Sequence, residues 1–227
     1  MLKKTIYFIA SALLIGSLAF AQDDAADARK KKEKETRKNL NEKAGKIARK
    51  EGKSLEKEGW KSAPGGLPIK KQLDNVYLKQ SEQDNEGYPL WYISNSRATA
   101  NTQAAAKLSA MELAKLDLAG QLGSNITGLV ENSVANSQIS EEEATSVQKV
   151  VAASNNLISA SLGRVLVFTE FYKKMGDNIQ CSVFIGTNAK LAEQQAKKAV
   201  RKKLEEETNV VREKLDKILG LDTEEAK

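Results

Sequence analysis

The chain has 227 residues, with 36 Lys or Arg against 30 Asp or Glu, and its formal net charge at pH 7 is +6. It contains no His and a single Cys, Cys181. The composition therefore excludes Ser-His and Cys-His nucleophilic catalysis, zinc sites built from several Cys or His ligands, and an internal disulfide.

Residues 1–21 have the pattern of a secretory signal peptide. Lys3 and Lys4 precede an apolar run that ends at Phe20, and Ala19-Phe20-Ala21 supplies the small-x-small cleavage pattern before Gln22. No Cys follows the apolar run to act as a lipidation acceptor. We therefore expect the protein to be exported to the periplasm, to associate with the outer membrane or to be secreted.

Residues 22–62 predict a charged helical arm. Over residues 22–80, 17 Lys or Arg stand against 10 Asp or Glu, so most of the excess positive charge lies here. The apolar side chains of the arm recur at helical spacing and form a narrow stripe: Leu40, Ala44, Ile47, Ala48 and Leu55. The arm is either a solvated helix or a contact for an anionic membrane surface or an acidic partner.

Residues 63–89 predict a linker that contains a short helix. Ser62-Ala-Pro-Gly-Gly66 breaks the chain, and a helix is expected from Pro68 to Gln80 because proline suits a first helical turn. Ser81 to Gly87 reads as a polar loop.

Residues 90–204 predict an α+β core domain. Its expected elements are a strand at Leu90–Ser94, a helix over Thr99–Ala135, a second helix that starts at the capping-box pair Ser140 and Glu143, and a hairpin. The hairpin strands are expected at Arg164–Tyr172 and Ile179–Ile185.

The last predicted element is one long helix from Asn188 to Leu219, with residues 205–227 as an extension beyond the core. The spacing of apolar residues beyond Leu204 resembles a short coiled-coil seam. The fold class is therefore α+β, with a small antiparallel sheet of about three strands and long helices packed on one face.

Carboxylates are the catalytic groups that the composition leaves available, since two of them can flank a glycosidic bond. The candidates are Glu112, Asp117, Glu131 and Glu170. Glu112 and Asp117 are five residues apart on one predicted helix and do not face each other, and strand alternation directs Glu170 toward solvent. The pattern indicates structural roles, and a carboxylate-dependent hydrolase of periplasmic glycans is the alternative.

Aromatic residues are the candidates for partner binding: Trp60, Tyr88, Trp91, Phe168, Tyr172 and Phe184. Strand alternation places Leu166, Phe168, Tyr172 and Phe184 on one hairpin face and Val165, Val167, Cys181 and Val183 on the other. Both faces are apolar, so both are expected to be covered, the second by the arm or by another chain. Cys181 is expected to be a small buried apolar residue.

No cofactor or metal site is predicted. Gly120-Gln-Leu-Gly123 lies inside a helical pattern and lacks the setting of a phosphate loop, and Asp84-Asn-Glu-Gly87 is too short for a calcium loop. The basic runs Arg29–Lys32 and Lys197–Lys203 are diluted by nearby Glu, and export removes the usual nucleic-acid partners.

Residues 90–200 run as strand, Ala-rich helix, Glu-led helix, hairpin and helix. Within them, Ala104-Ala-Ala-Lys-Leu-Ser-Ala110 with Leu113 to Leu122 resembles the lipoprotein-twenty family, typified by a Helicobacter surface lipoprotein. Glu58-Gly-Trp-Lys-Ser-Ala-Pro-Gly-Gly66 is similar to uncharacterised exported proteins of Bacteroidetes. The resemblance implies an α+β domain in a Gram-negative cell envelope. The family has no agreed enzymatic activity, so no catalytic residues carry over from it, and Gln22 stands where the family has a lipidated Cys.

Together these patterns predict a non-enzymatic envelope protein. It is expected to act by binding another envelope protein or by self-association, and its basic arm offers a possible contact with an anionic membrane surface.

Overall fold

The computed structural model describes residues 35, 38–40, 42–136, 139–208 and 210–221. The predicted signal peptide lies outside these residues. The chain divides into two compact units, Met1–Lys46 and Ile47–Lys227, and this division falls inside the predicted arm. In the first unit, residues 35, 38–40 and 42–46 are helical. The second unit holds all elements described below.

Helices and strands of the second unit follow the predicted order, with additional breaks. They are α1 (residues 47–57), β1 (Lys61–Ser62), α2 (Ile69–Ser81), β2 (Trp91–Ala100), α3 (Gln103–Ala135), α4 (Glu141–Ala152), α5 (Asn155–Ser161), β3 (Leu166–Met175), β4 (Asn178–Asn188), α6 (Ala189–Glu207) and α7 (Arg212–Leu219).

The α+β class is confirmed, with a sheet of four antiparallel strands in the order β1-β3-β4-β2. The prediction of about three strands omitted β1, whose two residues pair with Tyr172 and Phe171 at the outer edge of β3. A two-residue strand has no alternating pattern of its own, so only its pairing with β3 identifies it.

Each face of the sheet is covered within the second unit. α3 packs against β2 and β4, and its small residues Ala106 and Ala110 are buried in the same core as Cys181 and Val183. On the other face, α1 and α2 build a smaller core, whose buried members are Ala48, Leu55, Trp60, Ile69, Leu73 and Phe171. The second hairpin face is therefore covered by the end of the predicted arm and by α2.

A β-bulge between Val167 and Thr169 corrects the predicted faces of β3. The bulge inserts one residue and reverses the alternation beyond it. Tyr172 pairs with Cys181 and Glu170 pairs with Val183, so both side chains lie on the α3 face. The expectations that Tyr172 shares a face with Phe184 and that Glu170 points to solvent are therefore wrong.

The predicted long C-terminal helix is interrupted after Glu207. Thr208 and Val210 are β-branched and form helices poorly, and the Thr208 hydroxyl accepts a hydrogen bond from the Val210 N–H at 3.3 Å. α7 then folds back, and Arg201 on α6 pairs with Asp216 on α7 at 2.7 Å. Of the seam residues beyond the break, Leu215 and Ile218 are buried in the main core, whereas Val211 is 65% exposed.

The capping box before α4 is confirmed. The Glu143 N–H donates to the Ser140 hydroxyl at 3.2 Å, and the Ser140 N–H donates to Glu143 Oε2 at 2.9 Å. The same carboxylate contacts Lys214 on α7 at 2.7 Å, and the Lys214 ammonium, together with the Ser140 N–H, holds the pKa of Glu143 below its ordinary value. One side chain thus caps a helix and connects two elements.

Gly52 sets the distance between α1 and α2. A Cβ atom at this position would lie 2.6 Å from the Cγ of Lys70 and 3.2 Å from its Cα. The Tyr77 hydroxyl donates to Glu51, and Lys70 pairs with Glu56 at 3.3 Å, so polar contacts flank the close approach.

We predict that Gly52→Ala destabilises the protein although alanine favours helices. Forcing α1 away from α2 is expected to lower the free energy of unfolding by about 1–3 kcal/mol, as in other overpacked sites. The matched control is Gly120→Ala in α3, where no atom lies within 4 Å of the added Cβ. There we expect a gain of about 0.5–1 kcal/mol. Urea unfolding of both variants measures the difference, and similar shifts of the same sign would contradict close packing at Gly52.

Candidate binding surface

β2 forms one edge of the sheet. It pairs with β4 in unbroken register from Trp91↔Asn188 to Ala100↔Ile179, and the Ala189 N–H donates to the Leu90 carbonyl at 3.0 Å. Because main-chain groups of an antiparallel strand alternate, the even-numbered residues of β2 face β4 and the odd-numbered ones face away. Within the described part of the chain, no hydrogen bond from another element reaches the outward N–H and C=O groups of β2.

The opposite edge of the sheet, on β3, has partners at Glu170 and Tyr172. The outward N–H of Glu170 on β3 donates to the buried Gln72 side chain of α2 at 2.9 Å, and the Glu170 carbonyl accepts from the Ala63 N–H at 3.2 Å. Tyr172, the next outward residue, pairs with Lys61 of β1. The bulge at Phe168 interrupts the remaining length of β3.

β2 has almost none of the features that protect natural edge strands. Such strands are usually short, bulged, or interrupted by proline or by several charges. β2 is ten residues long, its register with β4 has no shift, and its sequence contains no proline. Its only charged residue is Arg97.

Arg97 belongs to a cationic patch on the α2 face of the sheet, formed with Lys173 of β3 around the Trp60 ring. The Arg97 guanidinium carbon lies 5.1 Å from the centroid of the Trp60 ring, and Lys173 Nζ lies 6.0 Å from it. Neither cation forms an ion pair with any carboxylate in the described ranges. Trp60 itself is 3% exposed, and its buried Nε1–H has no hydrogen-bond partner among the described residues. The cations are therefore held in place by the ring but not neutralised.

A second aromatic cluster lies at the start of β2, and here the charge is balanced. The rings of Trp91 and Phe168 meet edge to face, with centroids 5.7 Å apart. Lys79 Nζ lies 5.0 Å from the Trp91 ring centroid and 2.9 Å from Glu82. The Trp91 Nε1–H donates to the same Glu82 carboxylate at 3.0 Å. This cluster is thus internally satisfied.

The six predicted partner-binding residues do not form one surface. Trp60 and Tyr172 are buried, on opposite faces of the sheet, and are core residues in this fold. Trp91, Phe168 and Phe184 are half-buried on the α2 face. Tyr88 is 63% exposed in the loop before β2. The residues that the sequence reading missed are Arg97 and Lys173. Extending the strand beyond Ser94 would have placed Arg97 on the face of Trp91.

Glu170 lies in a polar cluster under α3. Lys107 Nζ lies 2.6 Å from Glu170 Oε2, and the Tyr172 hydroxyl donates to Glu170 Oε1 at 2.6 Å. Burial by itself raises the pKa of the Glu170 carboxyl, but Lys107 and Tyr172 more than offset this and hold it below its ordinary value. Burial and the Glu170 carboxylate raise the pKa of the adjacent Cys181 thiol to about 11. The cluster therefore contains an anchored carboxylate and a protonated thiol.

The other candidate carboxylates are spread along α3, and two of them have partners on the same helix. Glu112 pairs with Lys115 at 2.8 Å, Asp117 accepts from Gln121 at 3.0 Å, and Glu131 is exposed. An open groove of about 370 Å³ between α3, α5 and the segment after α5 is lined by Glu112 but by none of the other three carboxylates. Across the described ranges, no group of three or more His, Cys, Asp or Glu is placed to hold a metal ion.

In comparisons with models of protein families, with curated proteins and with solved structures, the chain finds no match. The resemblance to the lipoprotein-twenty family therefore stays a prediction. None of the helices in the described residues is long and apolar enough to cross a membrane.

We predict that Cys181 is chemically silent in the folded protein. It is fully buried, and a thiol with a pKa of about 11 is almost entirely protonated at pH 8. We expect no reaction with Ellman's reagent until denaturant is added. The control is Thr99→Cys in a Cys181→Ser background, since Thr99 is exposed on the same sheet. Equal reaction rates for the two thiols in the native state would show that Cys181 is accessible.

Proposed function

We propose that the protein is a non-enzymatic, exported cell-envelope protein that acts by binding another envelope component or a second copy of itself. The observation that carries this proposal is the ten-residue edge of β2, which no described element covers, together with the cationic patch on the α2 face, which no described carboxylate neutralises. A long unprotected edge favours aggregation unless a partner covers it, so its retention favours a role in binding.

Export is supported by the sequence of residues 1–21, with its basic start, apolar run and small-x-small site before Gln22. The proposal covers three final locations for the exported protein: the periplasm, the outer membrane and the surrounding medium. The resemblance to envelope lipoproteins points the same way.

Binding draws more support than catalysis because no two of the carboxylates considered for a glycan hydrolase line the same described groove. Glu112 and Glu170 each pair with a lysine, and only Glu112 lines the groove beside α5. A retaining or inverting hydrolase needs two carboxyl groups on either side of one bond. The other alternative is a basic module that binds an anionic membrane surface. Its only support is the positive charge of residues 22–62.

Site-specific photocrosslinking in the source bacterium tests the proposal. A photoreactive residue is placed at Thr99, an exposed position on the edge strand β2. A second one at the exposed Glu206 on α6 serves as the matched control. We expect a processed chain in the envelope fraction and a discrete crosslinked product at position 99 but not at 206. An unprocessed chain in the cytosol, equal products at both positions, or turnover of peptidoglycan fragments by the purified chain would contradict the proposal.

A further inference from the structure

We infer that the edge of β2 accepts an extended acidic segment of a partner protein as an additional strand, with an Asp or Glu of that segment against Arg97. The inference rests on the proposed binding function and names its partner and its geometry. Its evidence is the combination of a main-chain edge that no described element covers and an arginine on the same strand that pairs with no described carboxylate.

The main chain of β2 offers the pattern that strand addition requires. The outward groups belong to alternate residues, among them Ile93, Asn95, Arg97 and Thr99, and each presents one donor and one acceptor. A peptide in extended conformation matches this spacing without any rearrangement of the sheet. The side chains of Asn95, Arg97 and Thr99 are exposed on the α2 face, where every second residue of an added strand would meet them.

Charge decides the chemistry of the added strand. Arg97 is the only charged residue on β2, and Lys173 adds a second cation beside Trp60. At the other end of the strand, Lys79 already has Glu82 as its partner. An incoming carboxylate is therefore expected near Arg97, where it gains a charge-assisted hydrogen bond, and not near Trp91.

The same charge argues against a second copy as the occupant. Two β2 strands that paired with each other would bring two Arg97 side chains into one interface, and the sequence Trp91–Ala100 contributes no Asp or Glu. Like charges at a strand pair are destabilising. An acidic segment from another protein would supply both the hydrogen-bond partners for the main chain of β2 and the negative charge for Arg97 and Lys173.

The test begins with an unbiased probe, a displayed library of random ten-residue peptides selected on the full chain. We expect the enriched peptides to combine β-branched residues with Asp or Glu. Their affinities are then measured for Asn95→Pro, which removes one outward N–H at a position where an edge strand tolerates proline, and for Asn95→Ala, which keeps it. Loss of one main-chain hydrogen bond is expected to weaken binding by about three- to tenfold in Asn95→Pro only.

A second pair of variants tests the charge and does not depend on the proline variant. Arg97→Glu is expected to weaken the enriched peptides about fivefold or more, with a larger effect at low salt. The matched control is Lys174→Glu, an exposed residue of β3 on the opposite face of the sheet. Thermal unfolding of each variant verifies that it is folded.

Several outcomes would overturn the inference. They are a library without enrichment, enriched peptides without acidic residues, and affinities unaffected by both Asn95→Pro and Arg97→Glu. A dimer of the full chain that is lost in Asn95→Pro would assign the edge to a second copy. If removal of the acidic residues 222–227 strengthened peptide binding, the β2 edge would be assigned to the chain's own C-terminal tail instead of a partner protein. A crosslink at position 99 that survives Asn95→Pro would leave the proposed function intact and remove only this inference.

Discussion

The N–H and C=O groups at the two edges of a β-sheet need hydrogen-bond partners, and the sequence treats the two edges of this sheet differently. At the β3 edge, the Gln72 side chain, the Ala63 N–H and the short strand β1 supply partners for Glu170 and Tyr172. At the β2 edge, no described element does so. Because helices pack on both faces of the sheet, the β2 edge and the exposed side chains beside it are where the described part of the sheet remains open to a partner.

The side chains around the open edge follow from the same arrangement. Trp60 leaves α1 and enters the smaller core, which places its ring where Arg97 and Lys173 can lie against it. The ring orders the two cations without neutralising them, so they keep their attraction for an anion. On the other face, Glu170 satisfies Lys107 and Tyr172, and Cys181 stays protonated. The polar groups under α3 thus have partners within the protein, whereas the outward main chain of β2 and the Arg97 side chain have no described hydrogen-bond or ion-pair partner.

Local features of the fold could be predicted from the sequence. The capping box at Ser140, the hairpin and the long Ala-rich helix all depend on residues close together in the chain. Features that depend on distant contacts could not. Asn95 to Ala100 has weak strand propensity and becomes a strand only because β4 pairs with it, and the bulge at Phe168 has no periodic signal. The position of β2 at an edge depends on strand order, which is why Arg97 and Lys173 were missed as a candidate site.

Amide hydrogen exchange of the full chain, followed residue by residue by NMR, tests the account most directly. If the β2 edge is open, the amides of Ile93, Asn95, Arg97 and Thr99 exchange much faster than those of Ser94, Ser96 and Ala98, whose N–H groups face β4. Equal protection of the odd-numbered and even-numbered amides in the free protein would contradict the account, because another part of the chain would then already cover the edge.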